Sequence, residues 1–264
     1  MSFTKINGAQ IYYETQGEGE PLVLVHAGIA DSRMWGPQMD DFAARYRVVR
    51  CDMRGYGQSR PVEGAFSHTD NLRLLLDMLN IERAVLVGCS LGGKVCIDFA
   101  LAYPDRVRAL VLVGAIPAGY PLDEETLAAY ADIESVGDDL NKVNEHEALI
   151  WVVGRGRTVS DVPPDMYQLA AQMNLLALQF EVQEIGEEQP PLEQNAVERL
   201  NELLIPALII YGENDRLCIH AAADVMAERL PNARKVLLNN AAHLPNLDQP
   251  VAFNRAVLDF LETL

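Results

Sequence analysis

Four short apolar runs rich in valine and leucine recur along the first half of the chain: PLVLVH at 21–26, YRVVRCD at 46–52, RAVLVG at 83–88 and RALVLVG at 108–114. Each is too short for a helix, and its unbroken apolarity is what a strand covered on both faces requires. Between the runs lie helix-length segments, WGPQMDDFAAR, TDNLRLLLDMLN and LGGKVCIDFALAYP. In the second of these, Leu72, Leu75, Leu76 and Leu79 share one helical face. Parallel strands need crossovers of helical length, so this alternation predicts an α/β fold: a mostly parallel sheet with helices on both faces. Ahead of it, Asn7-Gly8 between two β-prone runs predicts a tight hairpin, because both residues tolerate positive φ.

The alternation breaks after residue 115. From Pro117 to Asn201 the chain is rich in Glu, Asp, Gln, Ala and Met, with helix-like pieces DEETLAAYADI, NEHEALIWVV and DMYQLAAQMNLLALQFEV, and no convincing strand. Pro163-Pro164 and Pro190-Pro191 punctuate it. Strands resume with PALIIYG (206–212) and ARKVLLNN (233–240), with the helix AAADVMAERLP between them and VAFNRAVLDFLETL after. The reading is a core domain of residues 1–116 and 202–264 interrupted by a helical block at 117–201.

Composition narrows the partners. A chain of 264 residues that is 49% hydrophobic can bury a substantial core. With 21 Lys and Arg against 38 Asp and Glu, a net charge of −17 argues against nucleic acid and against an acidic membrane surface. Cys51, Cys89, Cys96 and Cys218 form no C-x-x-C pair and lie in or beside apolar runs, as small buried thiols do. No stretch has the form of a signal peptide or a membrane span, so a soluble cytoplasmic protein acting on a small molecule is expected. A second copy of the chain is the one protein partner left open. No Cys/His cluster offers metal ligands, and neither a metal nor an organic cofactor is called for.

Gly88-Cys89-Ser90-Leu91-Gly92 lies where a strand must turn into a helix and matches G-x-S-x-G, in which a serine on a strained corner projects its hydroxyl above the C-terminal edge of the sheet. Small flanking residues are a steric need there, since the chain two residues before and after the serine runs close to itself and its neighbours. Such a hydroxyl needs a base to take its proton. Asp215 in LIIYGENDRLC and His243 in VLLNNAAHLPNLDQP each stand just past a later strand, on the same edge of the sheet as Ser90.

These stretches, with LVHAGIADSRMW and DMRGYGQS, resemble the α/β-hydrolase superfamily from the first hairpin to the C-terminal helix, and the order serine, acid, histidine is that of the family. The resemblance implies the α/β-hydrolase fold: a mostly parallel eight-stranded sheet and a helical cap inserted after the sixth strand. It implies a serine hydrolase in which Ser90 attacks a carbonyl, His243 takes the proton and Asp215 orients the imidazole. Gly28 and Leu91 amides would form the oxyanion hole. The family usually has His-Gly where this chain has His26-Ala27. Relatives with dehalogenase or epoxide hydrolase chemistry carry Asp as nucleophile, so Ser90 speaks against both.

A small carboxylic ester or lactone is the expected substrate. The alternatives are carbon–carbon bond hydrolysis of a ring-cleavage product, cofactor-free haloperoxidase or perhydrolase activity, and a small-molecule receptor without turnover. Ile29, Cys89, Leu217 and Leu244, beside the catalytic candidates in sequence, are the candidate pocket residues. Met166, Tyr167, Met173, Leu175 and Leu176 of the cap suit an acyl pocket or packing equally well. Structural parts are expected for His26 and for the segment Asp52–Gly57. Glu213 reads as a turn residue, His68, His146 and His220 as solvated or capping, and the acids from Asp123 to Glu147 as a solvated face.

Overall fold

Strand and helix alternate from the hairpin onward because each apolar run has a sheet face to fill on both sides. The computed structural model describes residues 2–60, 64–183, 186–189 and 195–264; Pro190 and Pro191 lie outside the described residues. The strands are β1 (Ser2–Ile6), β2 (Ala9–Gln16), β3 (Pro21–Val25), β4 (Arg47–Cys51), β5 (Ala65–Phe66), β6 (Ala84–Cys89), β7 (Val107–Val113), β8 (Glu187–Glu188), β9 (Ala207–Gly212) and β10 (Ala233–Leu238). The helices are α1 (Gly36–Ala43), α2 (His68–Met78), α3 (Leu91–Ala102), α4 (Glu124–Ser135), α5 (Leu140–Glu147), α6 (Pro164–Glu181), α7 (Ala196–Arg199), α8 (Leu217–Arg229), α9 (Pro245–Asp248) and α10 (Pro250–Leu261).

The main sheet has eight strands in the order β1-β2-β4-β3-β6-β7-β9-β10. β1 and β2 are antiparallel, turning at Asn7 and Gly8 with φ of 47° and 84°, and β2 meets β4 antiparallel; every later pairing in this sheet is parallel. Successive side chains of the central strands feed opposite cores. Val23, Val25, Leu86, Leu110, Leu112 and Ile209 pack with α2, α3 and α8, whereas Leu22, Leu24, Val85, Val87, Val111 and Ile210 pack with α1 and α10. The four cysteines are buried free thiols. Among the described residues, no helix is long and apolar enough to cross a membrane.

Between β7 and β9 the described chain is helical, with one exception to the expectation of no strand there. β8 pairs in parallel with β5, through Glu187 N–H to Gly64 O and Gln189 N–H to Phe66 O. Two extended residues are too few to leave an alternating pattern in the sequence. The piece read as one helix over 144–153 changes pitch: α5 passes into a π-helical turn, Ala148–Val153, that ends at Gly154 with φ 78°. Arg157 closes this turn, donating to Val152 O and Val153 O, and forks onto both carboxylate oxygens of Asp248 at 3.0 Å. Asp248 also accepts from Ala242 N–H, so one buried ion pair ties the π turn to the loop that carries His243.

Candidate active site

The candidate residues meet at the C-terminal edge of the sheet because β6, β9 and β10 all point the same way. Ser90 follows β6 with φ 51° and ψ −114°, a left-handed conformation costly for a side chain with a Cβ. Its neighbours must be glycine. A Cβ on Gly88 would stand 2.3 Å from Gly92 O, and one on Gly92 2.3 Å from Val25 O. Ser90 N–H is spent on Val113 O at 2.8 Å, which fixes the corner to β7.

His243 and Asp215 form a buried pair. Imidazole Nδ1 lies 2.9 Å and 3.1 Å from the two Asp215 carboxylate oxygens, and the residues are 3% and 1% exposed. With Nδ1–H donated to the carboxylate, Nε2 is left as an acceptor, the form a general base needs. Arg216 N–H holds the same carboxylate at 2.8 Å. Gly114, just after β7, lies against this pair with φ 52°, and a Cβ there would sit 3.1 Å from His243 Nδ1.

Ser90 and His243 open onto one cavity of about 660 Å3. Gly28, Leu91 and Ile29 line it. The other three pocket candidates do not. Cys89 is fully buried with its thiol on His243 O, Leu244 packs in the core beneath the sheet edge, and Leu217 is 46% exposed at the surface. Cys89 and Leu244 adjoin Ser90 and His243 where the chain turns into α3 and α9, and their side chains go to the core; Leu217 opens α8 two residues past Asp215.

His26 is buried, and burial lowers its pKa; its Nδ1–H donates to Ala27 O at 2.8 Å and its Nε2 accepts from Met53 N–H at 2.9 Å, a structural role. The Ala27 methyl packs in the core beside Met34. Asp52 shapes its loop by accepting from Ser32 and Gln58 amides. Glu213 is exposed and accepts from Asn240 N–H, as a turn residue does. His146 and His220 bond Lys142 O and Gly212 O. His68 departs from the expectation of solvation: it starts α2, is 6% exposed, lines the cavity, and burial pulls its pKa down to about 3.

Glu147 also departs from the solvated face. It lines the cavity, accepts from Asn174 Nδ2 at 2.6 Å, and burial raises its pKa. On α6, Met166 and Met173 are core and Tyr167 packs against it, while Asn174, Ala177, Leu178, Phe180 and Glu181 face the cavity. Trp151, on the π turn, was not singled out by sequence reasoning. Its ring centroid is 4.6 Å from that of His243, and its carbonyl accepts His243 N–H. Among the described residues, no group of three or more His, Cys, Asp or Glu is placed to hold a metal ion.

Comparison with known proteins agrees with this architecture. Residues 20–250 match the family model described as alpha/beta hydrolase fold. A pimeloyl-[acyl-carrier protein] methyl ester esterase from Nitrosomonas europaea is 30% identical, over 93% of this chain and 97% of its own. A 2-hydroxy-6-oxononadienedioate/2-hydroxy-6-oxononatrienedioate hydrolase from Pseudomonas putida is 30% identical, over 96% and 92%. The structure of a thermophilic esterase from Thermogutta terrifontis superposes with a TM-score of 0.81 over 100% of this chain and 99% of that one, at 24% identity, a likeness of fold. The chain belongs to the alpha/beta hydrolase fold family.

Proposed function

We propose that the protein hydrolyses a small carboxylic ester or lactone through a Ser90 acyl-enzyme. One observation carries the reading: the imidazole bonded to Asp215 lines the same cavity as a serine held on a strained strand-to-helix corner. His243 Nε2 takes the Ser90 proton as Oγ adds to the carbonyl carbon. Asp215 stabilises the imidazolium. Gly28 and Leu91 N–H groups hold the oxygen that becomes negative. The tetrahedral species collapses, His243 hands its proton to the leaving alkoxide, and water repeats the sequence to release the acid. The helical segment 117–201 acts as a cap that closes the cavity over the acyl group.

A second reading, hydrolysis of a carbon–carbon bond, is favoured by the relatives named for 2-hydroxy-6-oxononadienedioate. That name describes a dianion. Among the described lining residues, Glu147, Glu181 and Glu188 stand against Arg54 and Lys94, and Lys94 is already 3.6 Å from Glu188. A lining of this charge suits a neutral ester better than a dicarboxylate.

Both readings are tested by a turnover panel of p-nitrophenyl acetate and butyrate, lactones and a dienedioate, with fluorophosphonate labelling to locate the nucleophile. Ester turnover that falls about 10⁴-fold or more in Ser90→Ala, in a folded protein, is the expected result. Full activity in that variant refutes the mechanism. A single stoichiometric burst without turnover would identify a receptor.

A further inference from the structure

The mechanism above leaves Tyr56 unused, although its hydroxyl stands beside the proposed oxyanion donors. It lies 3.8 Å from the point where a Cβ on Gly28 would be, and Leu91 Cβ lies 3.6 Å from that same point. Tyr56 lines the cavity with Ser90, Leu91 and His243. Because residue 28 has no side chain, nothing from that position covers the hydroxyl.

The hydroxyl is also well held. His26 ties the two loops together, donating to Ala27 O on one and accepting from Met53 N–H on the other. The Tyr56 ring packs edge-on against that imidazole at 5.0 Å. Its backbone is fixed by Tyr56 N–H to Met53 O and Ser59 N–H to Tyr56 O, both 3.0 Å. Asp52 grips the same turn through Gln58 N–H at 2.6 Å. Burial first, then the carboxylates of Glu181, Glu188 and Glu147, raise the phenol's pKa, so the group stays a donor.

We propose that the Tyr56 hydroxyl is a third donor to the substrate carbonyl oxygen, alongside the Gly28 and Leu91 amides. The proposal rests on the acyl-enzyme reading. No bond is made or broken at Tyr56: the phenol keeps its proton while negative charge grows on the substrate oxygen, and its hydrogen bond relaxes when the carbonyl re-forms. A donor that strengthens only as charge develops acts on kcat more than on KM.

The test is Tyr56→Phe in the full chain, which keeps the ring against His26 and removes the donor. With p-nitrophenyl acetate, kcat is expected to fall about ten- to a hundredfold, the range for losing a hydrogen bond to a charged group, with KM nearly unchanged. A trifluoromethyl ketone, whose adduct with Ser90 places a negative oxygen at the same donors, should lose affinity by a similar factor. Thermal midpoints of the two proteins, expected to agree, show that the fold is kept. Retention of both kcat and ketone affinity to within about twofold overturns the proposal. So does a fall in kcat with ketone affinity intact, because a donor to the oxyanion must serve both. If the parent protein neither turns over esters nor labels at Ser90, the acyl-enzyme reading has failed and this proposal falls with it; an active, labelled parent with an unaffected Tyr56→Phe overturns the Tyr56 role alone.

Discussion

Replacing Asp98 by asparagine is expected to stabilise the protein in neutral and alkaline solution and to do nothing in acid. Asp98 lies on α3 beyond Ser90, is 2% exposed, and its Oδ1 has no hydrogen-bond partner among the described residues. Burial raises its pKa from 3.8 to about 6, with Lys94 opposing the rise and Glu188 adding to it. Because the folded value exceeds the unfolded one, the unfolded chain gives up this proton first as pH rises. The favourable contribution is complete below the unfolded pKa of 3.8 and is lost as pH climbs through about 6. A difference of roughly two units, at about 1.4 kcal/mol each, makes ionised Asp98 a burden of about 3 kcal/mol above that window. Asparagine has nearly the same shape and no charge to desolvate. Urea unfolding of both proteins at about pH 4, 6 and 8 should show the variant gaining little in acid and up to about 3 kcal/mol at the alkaline end. A gain independent of pH, or a variant less stable than the parent at pH 8, refutes the assignment of the cost to the buried charge.

Two further changes probe the base and its support. Asp215→Asn is expected to lower kcat by about 10⁴, through the wrong imidazole tautomer, while Glu213→Gln leaves it nearly intact; the reverse outcome in p-nitrophenyl ester assays would move the acid to Glu213. Arg157→Lys removes the two-pronged grip on Asp248; the two side chains are 9% and 2% exposed. It should cost about 1.5–3 kcal/mol in urea unfolding, the range for lost hydrogen bonds to a charged group, and also depress kcat, since the His243 loop and the Trp151 turn share that ion pair; a stable variant with unaltered kcat would show the clamp to be dispensable.

What could be read beforehand follows from the range of the forces involved. The sheet was legible because burial on both faces forces unbroken valine and leucine in β3, β6 and β7, and because each parallel step needs a helix. The corner at Ser90 was legible because backbone approaches near 2.3 Å admit only glycine at 88 and 92, on either side of the serine. Gly114 obeys the same logic, yet it carried no signal, because what it clears is the His243–Asp215 pair, contributed by segments about a hundred residues further along the chain. The neighbours of Ser90 and His243 misled for a local reason: Cys89 and Leu244 flank them where the chain turns into α3 and α9, and their side chains go to the core.

The segment between β7 and β9 was the least legible part, and α6 shows why. Helical periodicity puts Met166, Ala170, Met173, Asn174, Ala177, Leu178 and Glu181, spaced three or four residues apart, along one face of α6. It does not say where along that face the core ends and the cavity begins. The N-terminal part of that face, Met166, Ala170 and Met173, packs in the core, where burying apolar surface is worth about 25 cal/mol for each Å2. The part that follows, with Asn174, Ala177, Leu178 and Glu181, lines the site. Glu147 joins it through the Asn174 amide, at a position where an acidic run would ordinarily face solvent. Residues that look like surface in the sequence, Glu147 and Glu181 among them, therefore end in the lining of the cavity that Ser90 and His243 share, beside Arg54 and Lys94.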